Sequence, residues 1–419
     1  MSKRPEEIRI DDLADPVLSP DQRAALEGAS RIGVSFDLEG ILEAARQQTG
    51  LSDFGADDFR ERLALWLEAA EEDDHLGPVG RISVQRDCVR YAANRLRFED
   101  LIARHPEILE LEIRRPIIIA GLPRSGTTHL LNLIAADRRL RSLPYWESLE
   151  PIPDPRESPG PDGVDPRLAR CRATHALQDR FTPLLKNMHD LAPEHVHEEI
   201  EVQAIDFSSY LLEWIATVPR WRDYYLGHDQ TPHYAYMKNV LKALQWLRGP
   251  DRWVLKSPQH MEQLVPLLAT FPDATVVVTH RDPRSVIASA VTMLVYGDRM
   301  RRTRVEPRAV AEYWVERVET LLRACVRDRD RVPPEQSLDV LFHEFMADDV
   351  STVERIYGLA GLPMTPAARS ALEHFMRENP RGKHGRIVYD LKGDFGLDPA
   401  TLRERFAFYF DRFAVREEW

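Results

Sequence analysis

From about Arg114 onward, short unbroken runs of apolar, mostly β-branched residues alternate with longer stretches in which apolar residues recur every three or four positions. That alternation of fully buried strands with amphipathic helices predicts an α/β fold, a parallel sheet flanked by helices. The predicted strands are Pro116 to Gly121, Trp253 to Lys256, Thr275 to His280 and Ser337 to Phe342, with a further short strand near Arg141 to Tyr145. Upstream, residues 1–112 read as a helical N-terminal region. In DDFRERLALWLEAAEEDD, the residues Phe59, Leu63, Trp66, Leu67 and Ala70 share one apolar face with charges mostly opposite, which is the signature of a packing or oligomerisation layer.

The α/β domain is predicted over residues 113–419 and is interrupted by an insertion at about 151–249. The insertion opens with the Pro-rich PIPDPRESPGPDGVDP, which cannot be regular helix or sheet, and leads into a mostly helical cap. Phe207, Tyr210, Trp214, Trp221, Tyr224, Tyr225, Tyr234, Tyr236 and Trp246 crowd this cap. They either fill the cap's own core or line an acceptor pocket.

Composition narrows the partners. The chain has 419 residues and a formal net charge of −12, from 56 basic against 68 acidic residues, which argues against nucleic acid as a partner. An anionic ligand must therefore be held by a local cluster of cations. Cys88, Cys171 and Cys325 have no metal-ligand or disulfide spacing, and the N-terminus MSKRPEEIRIDDLADP lacks the apolar core of a signal peptide. With no apolar run of ~18 residues, no stable membrane insertion is expected, and the expectation is a soluble cytoplasmic protein. A homodimer through the N-terminal helices stays open.

The candidate chemistry centres on GLPRSGTTHLLNLIAAD, Gly121 to Asp137, which follows the predicted strand and runs into a helix. Two glycines let the backbone turn close to an anion while the first N–H groups of the helix point at it. Thr127 stands where the phosphate loop of a nucleoside triphosphatase carries its lysine, and the only cation in the loop is Arg124. The expected ligand is phosphate-like, and the missing lysine argues against a triphosphate donor. A second anion site is indicated by THRDPRSVIAS: Arg281 ends a strand, Asp282 caps the next helix, Pro283 opens it, and Ser289 follows. No carboxylate ends that strand to hold Mg²⁺.

In these residues the chain resembles the sulfotransferases that use 3′-phosphoadenosine 5′-phosphosulfate, of the bacterial-type branch. PRSGTTHLL is similar to that family's 5′-phosphosulfate loop, so the resemblance implies that Arg124, Ser125, Gly126, Thr127 and Thr128 hold the sulfonate donor without metal. Arg281 and Ser289 match the family's 3′-phosphate pair. Arg381, Lys383 and Arg386 in ENPRGKHGRIVYDL resemble its late basic loop, although the order here is Arg-Gly-Lys. The implied activity is in-line transfer of a sulfonate group to a hydroxyl or amine of a small, hydrophobic acceptor. Other readings of the same motifs are a P-loop nucleotide kinase or hydrolase, or a non-catalytic nucleotide-binding member of the family.

Lys256, at a predicted strand end, resembles the family lysine that contacts the transferring group, and Arg124 is its partner in stabilising charge. For the general base the leading candidates are Glu147, in LPYWESLEPIP, and His260, in KSPQH. Some bacterial members of the family carry a Glu at about the distance of Glu147 from the loop. The small-molecule enzymes carry a His two residues after the lysine, a position taken here by Pro258. A third cluster, HVHEEIE, offers His195, His197, Glu198 and Glu199, of which His197 or Glu198 ranks next as base. Its spacing is not that of a helical zinc motif.

Overall fold

A computed structural model describes residues 6–250, 252–380, 382–383 and 385–419. Its strands are β1 (Glu7–Ile8), β2 (Ile117–Gly121), β3 (Val254–Ser257), β4 (Thr275–His280), β5 (Ser337–Leu341) and β6 (Arg386–Ile387). β2 to β5 make one all-parallel sheet in the order β3-β2-β4-β5, while β1 and β6 form a separate parallel pair. Ile118 of β2 stands opposite Leu255 on one side and Val276 on the other, so the phosphate-loop strand is central.

Every residue of β2, β3 and β4 is buried, as their unbroken apolar runs require when helices cover both faces. The strand period of two divides β2 cleanly. Ile117 and Ile119 join the cluster formed with helix Thr127–Ala135 and helix Asp349–Ala360. Ile118 and Ala120 face the opposite cluster, with helices Thr231–Leu247, Pro283–Arg301 and Pro307–Asp328. Each fully buried Ile of this strand contributes about 1.5–3 kcal/mol of burial free energy.

The predicted strand boundaries shift by about one residue. Pro116 has no N–H and supplies only its carbonyl, to Thr275 N, so the ladder begins at Ile117. Phe342 turns away to open helix Phe342–Ala347. Near Arg141 to Tyr145 only two isolated bridges form, Arg141 to Trp253 and Pro144 to Val196, because a proline within so short a run cannot donate to a ladder.

In the N-terminal region, the helices Pro20–Ser30, Leu38–Thr49, Phe59–Glu71 and Pro78–Arg104 appear where helix was expected. Phe59, Leu63, Trp66, Leu67 and Ala70 are all buried, and they share a core with Phe207, Leu212, Trp221 and Tyr225 of the insertion. One charge of that helix is inside: Arg62 donates to Asp206, which also takes Arg95 and lies 2.6 Å from His233 Nδ1. Phe207, Tyr210, Trp221, Tyr225 and Tyr234 are buried within the two larger clusters, and Trp246 is exposed, so most cap aromatics fill cores. Among the described residues no helix is long and apolar enough to cross a membrane.

Candidate active site

The carboxyl ends of β2, β3 and β4 converge, and the phosphate loop turns over them. Gly121 is the tightest point: a Cβ there would lie 1.9 Å from Thr279 Oγ1 of β4 and 2.7 Å from Thr127 Cγ2. Ser125 Oγ donates to the carbonyl of Leu122 at 2.6 Å and lies 2.8 Å from Thr279 Oγ1, pinning the loop to the neighbouring strand. Gly126 has φ of 86° and Arg124 φ of 69°. For Arg124 that left-handed backbone costs about 1–2 kcal/mol, which the fixed loop imposes in order to aim its side chain.

Helix Thr127–Ala135 then starts with no side-chain cap, so the positive end of its dipole is left to a ligand. Arg124 Nε donates to Ser289 Oγ at 2.8 Å, and its Nη1 donates to the carbonyl of Met188. Ser289 in turn donates to the Tyr389 hydroxyl at 2.9 Å. Arg281, beyond β4, donates from Nη1 to the carbonyl of Arg124 at 2.6 Å and lies over the ring of Phe342, 4.0 Å from its centroid. Its other two donors reach Glu418. Arg124, Ser289 and Arg281 are therefore one connected group, reached from two separate motifs.

On the β3 side, Lys256 is 2% exposed, and its Nζ donates to Thr128 Oγ1 at 3.3 Å and to Glu198. Its backbone N–H donates to Glu199 Oε2 at 2.8 Å. Glu199 Oε1 lies 2.5 Å from His260 Nε2, and the other ring nitrogen of His260 is 2.8 Å from the Tyr234 hydroxyl. Burial pushes the Glu198 carboxyl above its ordinary range, and the neighbouring Lys256 only partly offsets this. Burial likewise holds His197 well below its ordinary value, with His189 and Lys256 adding to the shift, so its imidazole is neutral.

The predicted residues therefore divide. Arg124, Ser125, Gly126, Thr127, Thr128, Lys256, Arg281 and Ser289 come together at the strand ends. Glu147 does not join them: its carboxylate takes Arg141 Nη2 at 2.7 Å and Arg248 Nη2 at 3.0 Å, and it bonds to no loop residue among the described residues. His260 comes close but has both ring nitrogens engaged. Lys383 donates to Asn379 Oδ1 at 3.0 Å, and Arg381 lies outside the described residues. Tyr389 was not singled out from the sequence, and Glu199 was named only as a member of a cluster in which it was not ranked. Glu199 lies in the flagged HVHEEIE run, whereas a lone Tyr in VYDL carries no signal of its own.

A cavity of about 450 Å³ opens elsewhere, lined by Trp214, Trp314, Tyr313, Leu294 and Arg301 among others, and it includes none of the loop residues. Among the described residues, no group of three His, Cys, Asp or Glu side chains is placed to hold a metal ion.

The sulfotransferase family model matches residues 116–366, more than half of the chain and the whole span from β2 through helix Asp349–Ala360. The chain belongs to the sulfotransferase family. Two solved structures of this family superpose over nearly all of this chain. One, from Mycobacterium tuberculosis H37Rv, is 27% identical with a TM-score of 0.77, covering 89% of this chain and 98% of that one. Another, from Mycobacterium avium, is 26% identical with a TM-score of 0.79, covering 91% and 97%. A search of curated proteins finds no match.

Proposed function

We propose that this sulfotransferase moves a sulfonate group from 3′-phosphoadenosine 5′-phosphosulfate to a hydroxyl, or amine, of a small hydrophobic acceptor. The observation that carries the reading is the linkage of the two anion sites: Arg124 of the loop is bonded to Ser289, and Arg281 is bonded back to Arg124. A donor with a phosphosulfate at one end and a 3′-phosphate at the other requires cations at both places, in one rigid unit.

The residues present fit such a donor, since an uncapped helix N-terminus, two guanidinium groups and Lys256 converge in a chain that is otherwise acidic. When bound, the donor supplies an activated sulfonate on a phosphate leaving group. Arg124, Thr127, Thr128 and the first N–H groups of the helix stabilise negative charge at the loop. Lys256 bridges Thr128 and Glu198, which places its ammonium between the loop and the nearest buried carboxylate. Glu198 accepts the proton of the acceptor's hydroxyl, and its burial suits it to do so near neutral pH. His260 and Glu199 hold the Lys256 backbone in position.

The test is calorimetric binding of 3′-phosphoadenosine 5′-phosphate, with adenosine 5′-monophosphate and Mg·ATP as comparators, to wild type and Arg281→Ala. Tight binding that depends on the 3′-phosphate and weakens at least tenfold in the variant is expected. Binding of Mg·ATP alone, or indifference to the 3′-phosphate, would return the loop to the nucleotide kinase class.

A further inference from the structure

The two parallel donors of the Arg281 fork are already taken by this chain. Arg281 Nε donates to Glu418 Oε1 at 2.8 Å and Nη2 to Glu418 Oε2 at 2.7 Å, the bidentate geometry with which a guanidinium also grips a phosphate. The third donor, Nη1, stays on the Arg124 carbonyl, and the ring of Phe342 backs the guanidinium. Arg281 is thus held on three sides, with a carboxylate on its bidentate face.

The segment that delivers this carboxylate has no regular structure after Phe413, yet it is tied down residue by residue. Glu417 pairs with Arg284 at 3.0 Å and Arg403 at 2.9 Å. The Glu418 N–H donates to Asp282 Oδ2 at 2.8 Å, and Trp419 Nε1 donates to Ser285 Oγ at 3.1 Å. These contacts lay the segment across the first turn of helix Pro283–Arg301, the element that carries Ser289. The arrangement is reversible in character. The Arg281–Glu418 pair is 21% and 27% exposed, so solvent screens it and displacement is cheap.

We propose that Glu418 is a built-in competitor for the 3′-phosphate subsite. It occupies the Arg281 fork when the subsite is empty, swings out when a 3′-phosphate arrives, and returns to the fork to help the spent 3′,5′-bisphosphate leave. The dianionic phosphate displaces the monoanionic carboxylate because it offers more charge and more acceptor oxygens to the same donors. The proposal rests on the donor reading above, and it adds that affinity for the donor nucleotide is set below what Arg281 would otherwise give.

The experiment is a titration of 3′-phosphoadenosine 5′-phosphate into wild type, Glu418→Gln, Glu417→Gln, Arg281→Ala and the Glu418→Gln/Arg281→Ala pair, with adenosine 5′-monophosphate as comparator. Glu418→Gln is expected to raise affinity for the bisphosphate by about two- to fivefold, as for a partly exposed ion pair. It should also slow dissociation in stopped flow and leave monophosphate binding unchanged. Glu417→Gln removes the same charge one residue away but leaves Glu418 itself in place; because it also loosens the tie to Arg284 and Arg403, a gain smaller than that of Glu418→Gln is expected. In the Arg281→Ala background the gain should vanish. A flat or weakened response in Glu418→Gln, with Arg281-dependent binding in wild type, overturns the competitor and leaves the donor reading standing. An equal gain in Glu417→Gln, or an equal gain for the monophosphate, also overturns it, since either would be general electrostatics. No bisphosphate binding to any form removes both readings.

Discussion

Arg124 Nε donates to Ser289 Oγ across 2.8 Å, joining the loop after β2 to the helix after β4, although 165 residues separate the two in sequence. The loop motif and the strand-end motif thus meet in one hydrogen-bonded unit, as the proposed donor, anionic at both ends, would need.

Removing either partner should therefore disturb both ends. Arg124→Ala is expected to lower kcat/KM by about 10²- to 10³-fold, the usual cost of losing one preorganised charge-stabilising donor. Ser289→Ala should be milder and should act mainly on KM for the donor, with the double variant less than additive because the residues touch. Initial-rate kinetics on the four forms checks this. Full additivity would show that the two motifs act independently.

Glu198 is expected to limit activity on the acid side. In its proposed role as base Glu198 acts as the carboxylate, and burial raises its pKa above the ordinary carboxylate range, so the acid limb of kcat should lie at higher pH than for an exposed Glu. Glu198→Gln should lower kcat by about 10²- to 10⁴-fold and abolish that limb. A pH–rate profile that keeps its acid limb in the variant would assign the proton to another group.

His260 should behave as a positioning residue. Both ring nitrogens are engaged, by Glu199 and Tyr234, and its reach is through Glu199 to the Lys256 backbone. His260→Ala is expected to lower kcat by at most about tenfold, well short of the loss for a general base, with KM for the donor little changed. The acid limb should stay in place, and His260→Gln should restore part of the rate. Loss of the limb in His260→Ala would instead make the imidazole the base.

The sheet and its loop were legible because buried parallel strands need unbroken apolar runs and a phosphate loop needs glycines at fixed places. Gly121 and Gly126 are there for reasons a sequence states openly. Glu147 illustrates the opposite case: its distance from the loop along the chain suited a base, but the chain turns it back onto Arg141 and Arg248, and only the tertiary path decides that. Glu198 and Glu199 were adjacent and chemically alike in sequence. What separates them is that one reaches the Lys256 ammonium and the other its backbone and His260. The Glu418–Arg281 pair had no sequence signal, since a charge cluster after the final helix reads as a solvated tail.

Stability is expected to fall as the pH drops below the ordinary histidine range. His197 is 8% exposed, and burial keeps its folded pKa well below its ordinary value of 6.5. His280, buried beside Asp339, is shifted the same way by desolvation, against the opposing pull of that carboxylate. Between the folded and unfolded pKa values the unfolded chain binds more protons, so stability rises with pH in that window and is lost as pH falls from 6.5. Each such histidine contributes a slope of up to about 1.4 kcal/mol per pH unit. Urea denaturation at pH 7.5, 6.0 and 5.0 should show the loss in wild type, and His197→Gln should flatten it by the share of one proton. The variant gives up the Tyr145 ring contact and so starts lower at pH 7.5, yet its curve should converge on wild type as pH falls. Parallel curves would mean that His197 takes up its proton in the folded state as readily as in the unfolded one, contrary to its burial between Tyr145 and His189.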